Sequence, residues 1–247
     1  MRHLADQLEA ELRAMGTAAR AAQEKRYLKS DLEHLGVTVP ALRKVVVAFL
    51  RAHPDFARDD VLGLARALWK KPIHERRAAA VEVLELRKNL LQPEDIHLVE
   101  EFLRESRGWA LVDNLAASVA GDLVERFPKK LGAVLDRWAK DRDFWLRRSA
   151  LLALLLPLRR GAGDFERFCG YADGMLEEKE FFIRKAIGWV LRETAKKTPE
   201  RVVAWLLPRA ARASGLTVRE ACKHLPAHDK ERILAAHASR ATKTSKN

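Results

Sequence analysis

Apolar residues in this chain recur every third or fourth position almost from end to end, as in Leu4, Leu8, Leu12 and Met15, or Val81, Leu84, Leu86 and Leu90. That spacing lines one face of a helix, and no segment shows the alternation of a half-buried strand. A chain so patterned can bury its apolar stripes only by packing helix on helix. Gly16, Gly36 with Pro40, Pro54, Pro72, Pro93, Gly108, Pro128, Gly161 to Gly163, Pro199, Pro208 and Pro226 interrupt the pattern at intervals of one short helix. These breakers predict about a dozen helices joined by short turns.

The helices are self-similar. His74-Glu75-Arg76-Arg77-Ala78-Ala79-Ala80-Val81 aligns with Trp145-Leu146-Arg147-Arg148-Ser149-Ala150-Leu151-Leu152 and with Phe182-Ile183-Arg184-Lys185-Ala186-Ile187-Gly188-Trp189. The offsets are about two periods and one period of ~36 residues, the range of HEAT or TPR helix pairs. Each block is expected to open the second helix of a pair, and stacked pairs form a solenoid with equivalent residues along one face. Arg77, Arg148 and Lys185 then make a row of cations, interrupted by Asp113 at the missing register point.

Lys and Arg number 46 against 34 Asp and Glu, a formal net charge of +12. Such a surplus concentrates polyanions near the surface, which makes nucleic acid the first candidate partner and an anionic membrane the second. The longest apolar run, Leu151 to Leu156, is far short of the ~20 residues of a membrane span. The mixed-charge start, Met1-Arg2-His3-Leu4-Ala5-Asp6, lacks the features of a secretory leader, so the cytoplasm is the expected compartment. Cys169 and Cys222 have no ligand-like spacing, and neither a metal site nor a disulfide framework is expected. Residues 1–241 read as one repeat domain and 242–247 as a flexible basic tail.

Two stretches stand out. Ser106 is the N-cap candidate for a helix over Trp109 to Leu123, with a core stripe on Val112, Leu115, Val119 and Leu123. Trp109 and Asp113 share a face of it, above a floor of Ala116, Ala117 and Ala120. Trp109 is also readable as the large apolar residue of its repeat, near the register of Ile73, Phe144 and Phe181, and Asp113 as a complement to the helix dipole. In the second stretch Lys185, Trp189, Arg192 and Lys196 form one stripe, with the core face on Phe182, Ile183, Ala186, Ile187 and Val190. Cations interleaved with an aromatic suit nucleic acid, phosphates meeting the charges and the ring meeting a base or sugar. A half-buried indole shielded by lysine stems is the plainer alternative. Of Arg147 and Arg148, one is expected to face phosphate and the other to form a surface pair, and the phase favours Arg148 for the outward row. Zinc-helix, Walker, Rossmann and nucleophile-elbow signatures are absent.

Taken together, Arg26-Tyr27-Leu28-Lys29 leading to Leu35-Gly36-Val37 and Pro40, Trp109 to Asp113, Trp145-Leu146-Arg147-Arg148, and above all Lys185-Ala186-Ile187-Gly188-Trp189-Val190-Leu191-Arg192-Glu193 resemble the AlkD-like DNA alkylation repair proteins, which are HEAT-like repeat DNA glycosylases. The resemblance runs over most of the chain. It implies an all-α, right-handed solenoid of HEAT-like helix pairs with a concave basic face. It also implies a monofunctional enzyme of base excision repair that removes positively charged N-alkylated purines, such as N3-methyladenine and N7-methylguanine, from double-stranded DNA. No metal or organic cofactor, no membrane partner and a monomer are expected. Trp109, Asp113 and Trp189 look like the active-site trio. Arg148 looks like a backbone-contacting neighbour, and Tyr27, Arg43 and Arg192, with Lys185 of the basic stripe, look like DNA-contacting positions. Where the family's pattern often has a second tryptophan directly before Trp109, this chain has Gly108.

The chemistry is consistent with so few groups. Breaking the N-glycosidic bond builds positive charge on the deoxyribose, and one carboxylate, Asp113, can stabilise that charge and orient water. An N-alkylated base already carries its charge and leaves neutral, so no second carboxyl is needed as acid. The alternatives are a non-catalytic HEAT-like protein recognising damaged or branched DNA, and a protein-binding scaffold, against which the basic stripe argues.

Overall fold

The computed structural model describes residues 1–106 and 108–244, with side chains through 239. Among the described residues there is no strand, and the chain is all-helical as the spacing predicts. A single bridge between Glu33 and Ile73 is the sole extended pairing among them. Of the expected tail, 242–244 continue the backbone of the last helix, and 245–247 lie outside the described residues.

Two compact units divide the chain, Met1–Leu123 and Val124–Asn247. The first holds α1 (Arg2–Met15), α2 (Ala18–Leu28), α3 (Val39–Ala52), α4 (Arg58–Trp69), α5 (His74–Leu86), α6 (Ile96–Glu105) and α7 (Trp109–Asn114), followed by a π-helical stretch, Leu115–Ala120. Helix α8 (Gly121–Arg126) spans the division. The second holds α9 (Pro128–Trp138), α10 (Phe144–Leu152), α11 (Leu155–Arg159), α12 (Phe165–Met175), α13 (Phe181–Ala195), α14 (Pro199–Leu206), α15 (Gly215–Ala221) and α16 (Ala227–Thr244).

Helix ends follow the local chemistry. Thr17, Thr38, Asp143, Asp164, Glu180 and Ser214 cap α2, α3, α10, α12, α13 and α15 by accepting from first-turn amides. Pro40, Pro128 and Pro199 sit in first turns, where a missing N–H leaves no bond unmade. In the first unit α5 packs against α3, α4 and the π-helical stretch, and α1 lies across α3 and α4. In the second, α13 is the hub, contacting α10, α11, α14 and, most extensively, α15. The expected stripe of Val112, Leu115, Val119 and Leu123 is fully buried.

The repeat alignment acquires a physical meaning here. Arg76, Arg147 and Arg184, equivalent in the three blocks, each donate backwards to carbonyls just upstream of their own helix, in the last turn of α4 for Arg76 and in the preceding connection for the other two. Arg76 reaches Ala67 and Leu68, Arg147 reaches Asp141 and Arg142, and Arg184 reaches Glu178. The following cations point forward instead. Arg77 donates to the last carbonyl of α6, at Glu105 (3.1 Å), Arg148 to the Phe182 carbonyl of α13 (2.5 Å), and Lys185 stands 3.6 Å from Glu220 of α15. These positions stitch one helix pair to the next, and Arg77 in doing so satisfies a carbonyl that the end of α6 leaves without an intrahelical partner.

That role corrects the expected outward row. Arg148 is 2% exposed and Arg77 is partly buried over the Trp69 ring, so of the three only Lys185 has an extensively exposed side chain. At Arg77 and Arg148 the position after the backward-reaching arginine faces the neighbouring helix pair rather than solvent, and Lys185 reaches its neighbour while staying open to solvent.

Candidate nucleic-acid interface

In the first unit the site begins where α6 ends. Ser106 does not cap the Trp109 helix as expected. It is fully buried and its hydroxyl donates to the Phe102 carbonyl (2.7 Å), closing the last turn of α6. Gly108 takes the N-cap position of α7 in extended backbone, without a side-chain bond. Trp109 is then half-buried, its ring edge-to-face with Tyr27 at 6.0 Å. Tyr27, in the last turn of α2, is 71% exposed.

Trp109 lines two cavities, of about 480 and 290 Å³, that also share His74, Leu28, Ala110 and Leu111 as lining. Arg43, exposed on α3, pairs at 3.1 Å with Glu82, which lines the smaller cavity and whose carboxyl burial pushes up despite Arg43. His74 stacks on His34 at 4.5 Å, and burial together with that neighbour depresses it to about 4. It is therefore a neutral imidazole near pH 7, able to donate at one nitrogen and accept at the other.

Asp113 lies one turn beyond Trp109 and is partly exposed. The neighbouring Asn114 donates to Glu85 at 2.8 Å, fixing α7 against α5. The backbone turns π-helical immediately afterwards, an irregularity frequent at functional sites. Ala116, Ala117 and Ala120 do not form an open floor: they are buried in this stretch, which packs on α5 and α6, and the wider turn takes them out of the register a regular helix predicts.

The residue that holds this region together escaped the motif reading. Glu75, 1% exposed on α5, accepts three backbone N–H bonds from the preceding loop: Leu35 at 2.9 Å, Gly36 at 2.7 Å and Val37 at 3.2 Å. Gly36 adopts φ +78 there, in the left-handed region that favours glycine. The available signal was an acid on the buried face of α5, where Glu75, Ala79 and Glu82 follow helical spacing. Glu75 also groups with Glu24 and His34, the three donor atoms lying within 4.8 Å of one another. With both Glu75 oxygens engaged by the loop, the group is a loop anchor.

In the second unit α13 presents Lys185, Trp189, Arg192 and Lys196 along one partly exposed stripe, opposite buried Ile183, Ala186, Ile187 and Val190. Phe182, expected in the core, is only half-buried and instead clusters with Phe144, Trp145 and Phe181. Arg148 lies against this cluster, 5.7 Å from the Phe182 ring centroid.

Two buried glutamates organise the stripe. Glu220 of α15 meets Arg192 (2.6 Å), Lys223 (2.8 Å) and Lys185 (3.6 Å), while Glu193 meets Lys196 (2.7 Å), Arg159 (2.8 Å) and Arg192 (3.3 Å). Burial pushes both carboxyls up, but the lysine bonds and surrounding cations outweigh it and hold them below the ordinary range. Five cations sharing two anions leave a positive surplus along the stripe that carries Trp189. Gly188 makes this possible: a Cβ there would lie 2.6 Å from the Glu220 Cβ and 3.0 Å from the Thr217 carbonyl oxygen, so only glycine lets α15 come close enough. Neither Gly188 nor Glu220 was singled out by sequence pattern, because their meeting is tertiary.

The structure thus brings Tyr27 to Trp109, and Lys185 and Arg192 to a common partner. Arg43 is set at Glu82, and Arg148 is withdrawn from solvent. An all-helical repeat protein with a cation-rich, tryptophan-bearing helix face is the class these observations define. The chain belongs to the DNA alkylation repair enzyme family, whose model matches residues 8–225, and it thereby has a role in DNA alkylation repair. It is similar in structure to a protein described as a predicted DNA alkylation repair enzyme from Enterococcus faecalis, with a TM-score of 0.77 at 22% identity over 86% of this chain and 98% of that one. It is also similar to AlkD2 from Streptococcus mutans, with a TM-score of 0.59 at 17% identity over 84% of this chain and 98% of that one. These likenesses concern the fold. No curated protein matches the chain. Among the described residues no helix is long and apolar enough to cross a membrane.

Proposed function

We propose that the protein is a DNA glycosylase that hydrolyses the N-glycosidic bond of positively charged N-alkylated purines, N3-methyladenine and N7-methylguanine among them, in duplex DNA. The observation that carries this reading is the placement of Asp113: a partly exposed carboxylate one helical turn beyond a half-buried Trp109, on a chain of this family.

As the bond to the base lengthens, positive charge grows on the deoxyribose. The Asp113 carboxylate stabilises that charge and orients the attacking water. Trp109 offers its ring face to the developing cation, an attraction of about 0.5–2 kcal/mol that strengthens as charge builds, and Trp189 on α13 offers a ring face to the DNA. The alkylated base departs neutral, so the enzyme supplies no proton to it. Tyr27, Arg43, Lys185 and Arg192 contact the DNA backbone, and the surplus of cations over Glu193 and Glu220 is what remains for phosphate. Arg148, bonded to the Phe182 carbonyl, acts through its hold on the start of α13.

Incubation with duplex DNA treated with a methylating agent tests the reading. Free N3-methyladenine and N7-methylguanine should appear in the supernatant, by chromatography, at a rate well above spontaneous loss. Tight DNA binding with no release above the spontaneous rate would leave a non-catalytic DNA-binding protein.

A further inference from the structure

The helix that carries Asp113 is fixed weakly by its own bonds. Helix α7 is six residues long and starts at Gly108 without a side-chain cap. Directly after Asn114 the backbone widens into the π-helical stretch, where the Gly121 N–H donates to the Ala116 carbonyl five residues back. Leu111 and Val112 are buried on its inner side, but apolar packing is not directional and leaves the rotation of a short helix to other contacts.

Two polar contacts from α5 and the turn after it bracket the wide stretch. Glu85, in the last turn of α5, accepts from the Asn114 amide at 2.8 Å. Lys88, in the short 3-10 turn Lys88–Leu90 that follows, meets Asp122 of α8 at 3.2 Å. In a regular α-helix Asn114 and Asp122 would stand about 80° apart around the axis, at about 100° per residue. A turn closed by i→i+5 bonds rotates less per residue, which brings both side chains to the same neighbour. The wide stretch and the two contacts therefore depend on each other.

Asp113 follows from this register. It precedes Asn114 by one residue, about 100° around the helix, so turning the Asn114 amide onto α5 directs the Asp113 carboxylate to the partly exposed side. Return of the stretch to regular helix would slip α7 by one residue, turning Asp113 by about 100° and drawing Trp109 from its contact with Tyr27.

We propose that Glu85 is a positioning residue for base excision. Through Asn114, with Lys88 and Asp122 as the second tie, it holds the π-helical register that sets the direction of the Asp113 carboxylate. The inference rests on the role given to Asp113 in the proposed function, and Glu85 acts through Asn114 without needing to touch DNA.

The test measures single-turnover excision of N7-methylguanine, and affinity for the same duplex, in Glu85→Ala, Asn114→Ala, the double variant and Glu85→Gln, with melting curves confirming that each folds. A misplacement of about 1 Å can cost about 10²-fold, so Glu85→Ala should slow excision by about 10- to 100-fold while duplex affinity stays within about twofold. Asn114→Ala should do the same, and the double variant should lose no more than either alone, because both remove one tie. Glu85→Gln keeps an oxygen to accept from Asn114 and should excise within about threefold of the parent. Parental excision in Glu85→Ala, losses that multiply in the double variant, a loss in Glu85→Gln as deep as in Glu85→Ala, or an equal fall in affinity overturns the proposal. Amide hydrogen exchange separates the inference from the reading it rests on. The Leu111, Val112 and Leu115 amides, which bond to the Gly108 and Leu111 carbonyls, should exchange about tenfold faster or more in Glu85→Ala and at the parental rate in Glu85→Gln. A parent that releases no base counts against the enzymatic reading, whereas unchanged exchange in Glu85→Ala refutes the tie itself.

Discussion

Replacing Glu75 by glutamine keeps the size and shape of the side chain and removes one acceptor oxygen and the charge. In the parent, Oε2 accepts from Leu35, and Oε1 accepts from Gly36 and Val37. The glutamine does best by keeping its oxygen on the Gly36 and Val37 amides, which turns its NH2 toward the Leu35 N–H. One buried donor is then left without a partner, facing another donor, and two charge-assisted bonds become neutral ones. A bond to a charged group contributes about 1.5–3 kcal/mol and an unsatisfied buried donor costs about 1–3 kcal/mol, so the expected loss is at least about 3 kcal/mol. For a chain of this length about 3 kcal/mol lowers Tm by roughly 6–12 °C. Calorimetry or circular dichroism on parent and variant gives the number directly. The anchored loop also carries Ser30, Asp31 and Leu32 into the larger cavity and Val37 into the smaller, so DNA affinity should fall with Tm. A variant melting within 2 °C of the parent (about 1 kcal/mol) would show that Glu75 does not hold the loop.

Other outcomes follow from the same geometry. Gly188→Ala forces α13 and α15 apart and should destabilise by about 1–3 kcal/mol, read as a lowered Tm, whereas an unchanged Tm would mean the contact yields freely. His74 is depressed to about 4 while the unfolded chain titrates near 6.5, so the unfolded state takes up the proton first as pH falls. Stability should decline by about 2–3 kcal/mol between pH 6.5 and 4, and His74→Phe should flatten that decline. Asp6 and Glu9, held at about 2 by Lys71 and Arg76 with Arg13 adding to Glu9, should remain charged through that window and release their contribution only as pH drops from about 4.5 toward 2. Lys185→Ala should weaken binding to all duplex sequences alike and reduce the salt dependence by about one counterion; an unchanged slope removes Lys185 from the interface.

How much was legible in the sequence varies by residue. The helices were, because apolar spacing and proline or glycine punctuation are local signals, and Pro40, Pro128 and Pro199 stand where such signals place them. The break of the Trp109 helix into α7, a π-helical stretch and α8 was not, since a wider turn has no side-chain signature in Leu115 to Ala120. Ser106 was assigned to the wrong helix end because a serine hydroxyl serves a following amide or a preceding carbonyl equally well. The Arg147 and Arg148 choice turned on one position of phase, about 100° of helix rotation, and the neighbouring pair that buries Arg148 lies more than thirty residues away. Trp109 and Asp113 were recognisable as a face-sharing pair because their spacing is local. The cation partners were not, because Glu220 reaches Lys185 and Arg192 only through the close approach at Gly188.

The central claim is that the Asp113 carboxylate stabilises a sugar becoming positive, and Asp113→Asn, which keeps shape and removes charge, addresses it alone. Excision of N7-methylguanine from duplex DNA under single-turnover conditions should fall by about 10²–10³-fold, while affinity for the same duplex is unchanged or slightly tighter. Excision at the parental rate by a variant that still binds DNA would contradict the account.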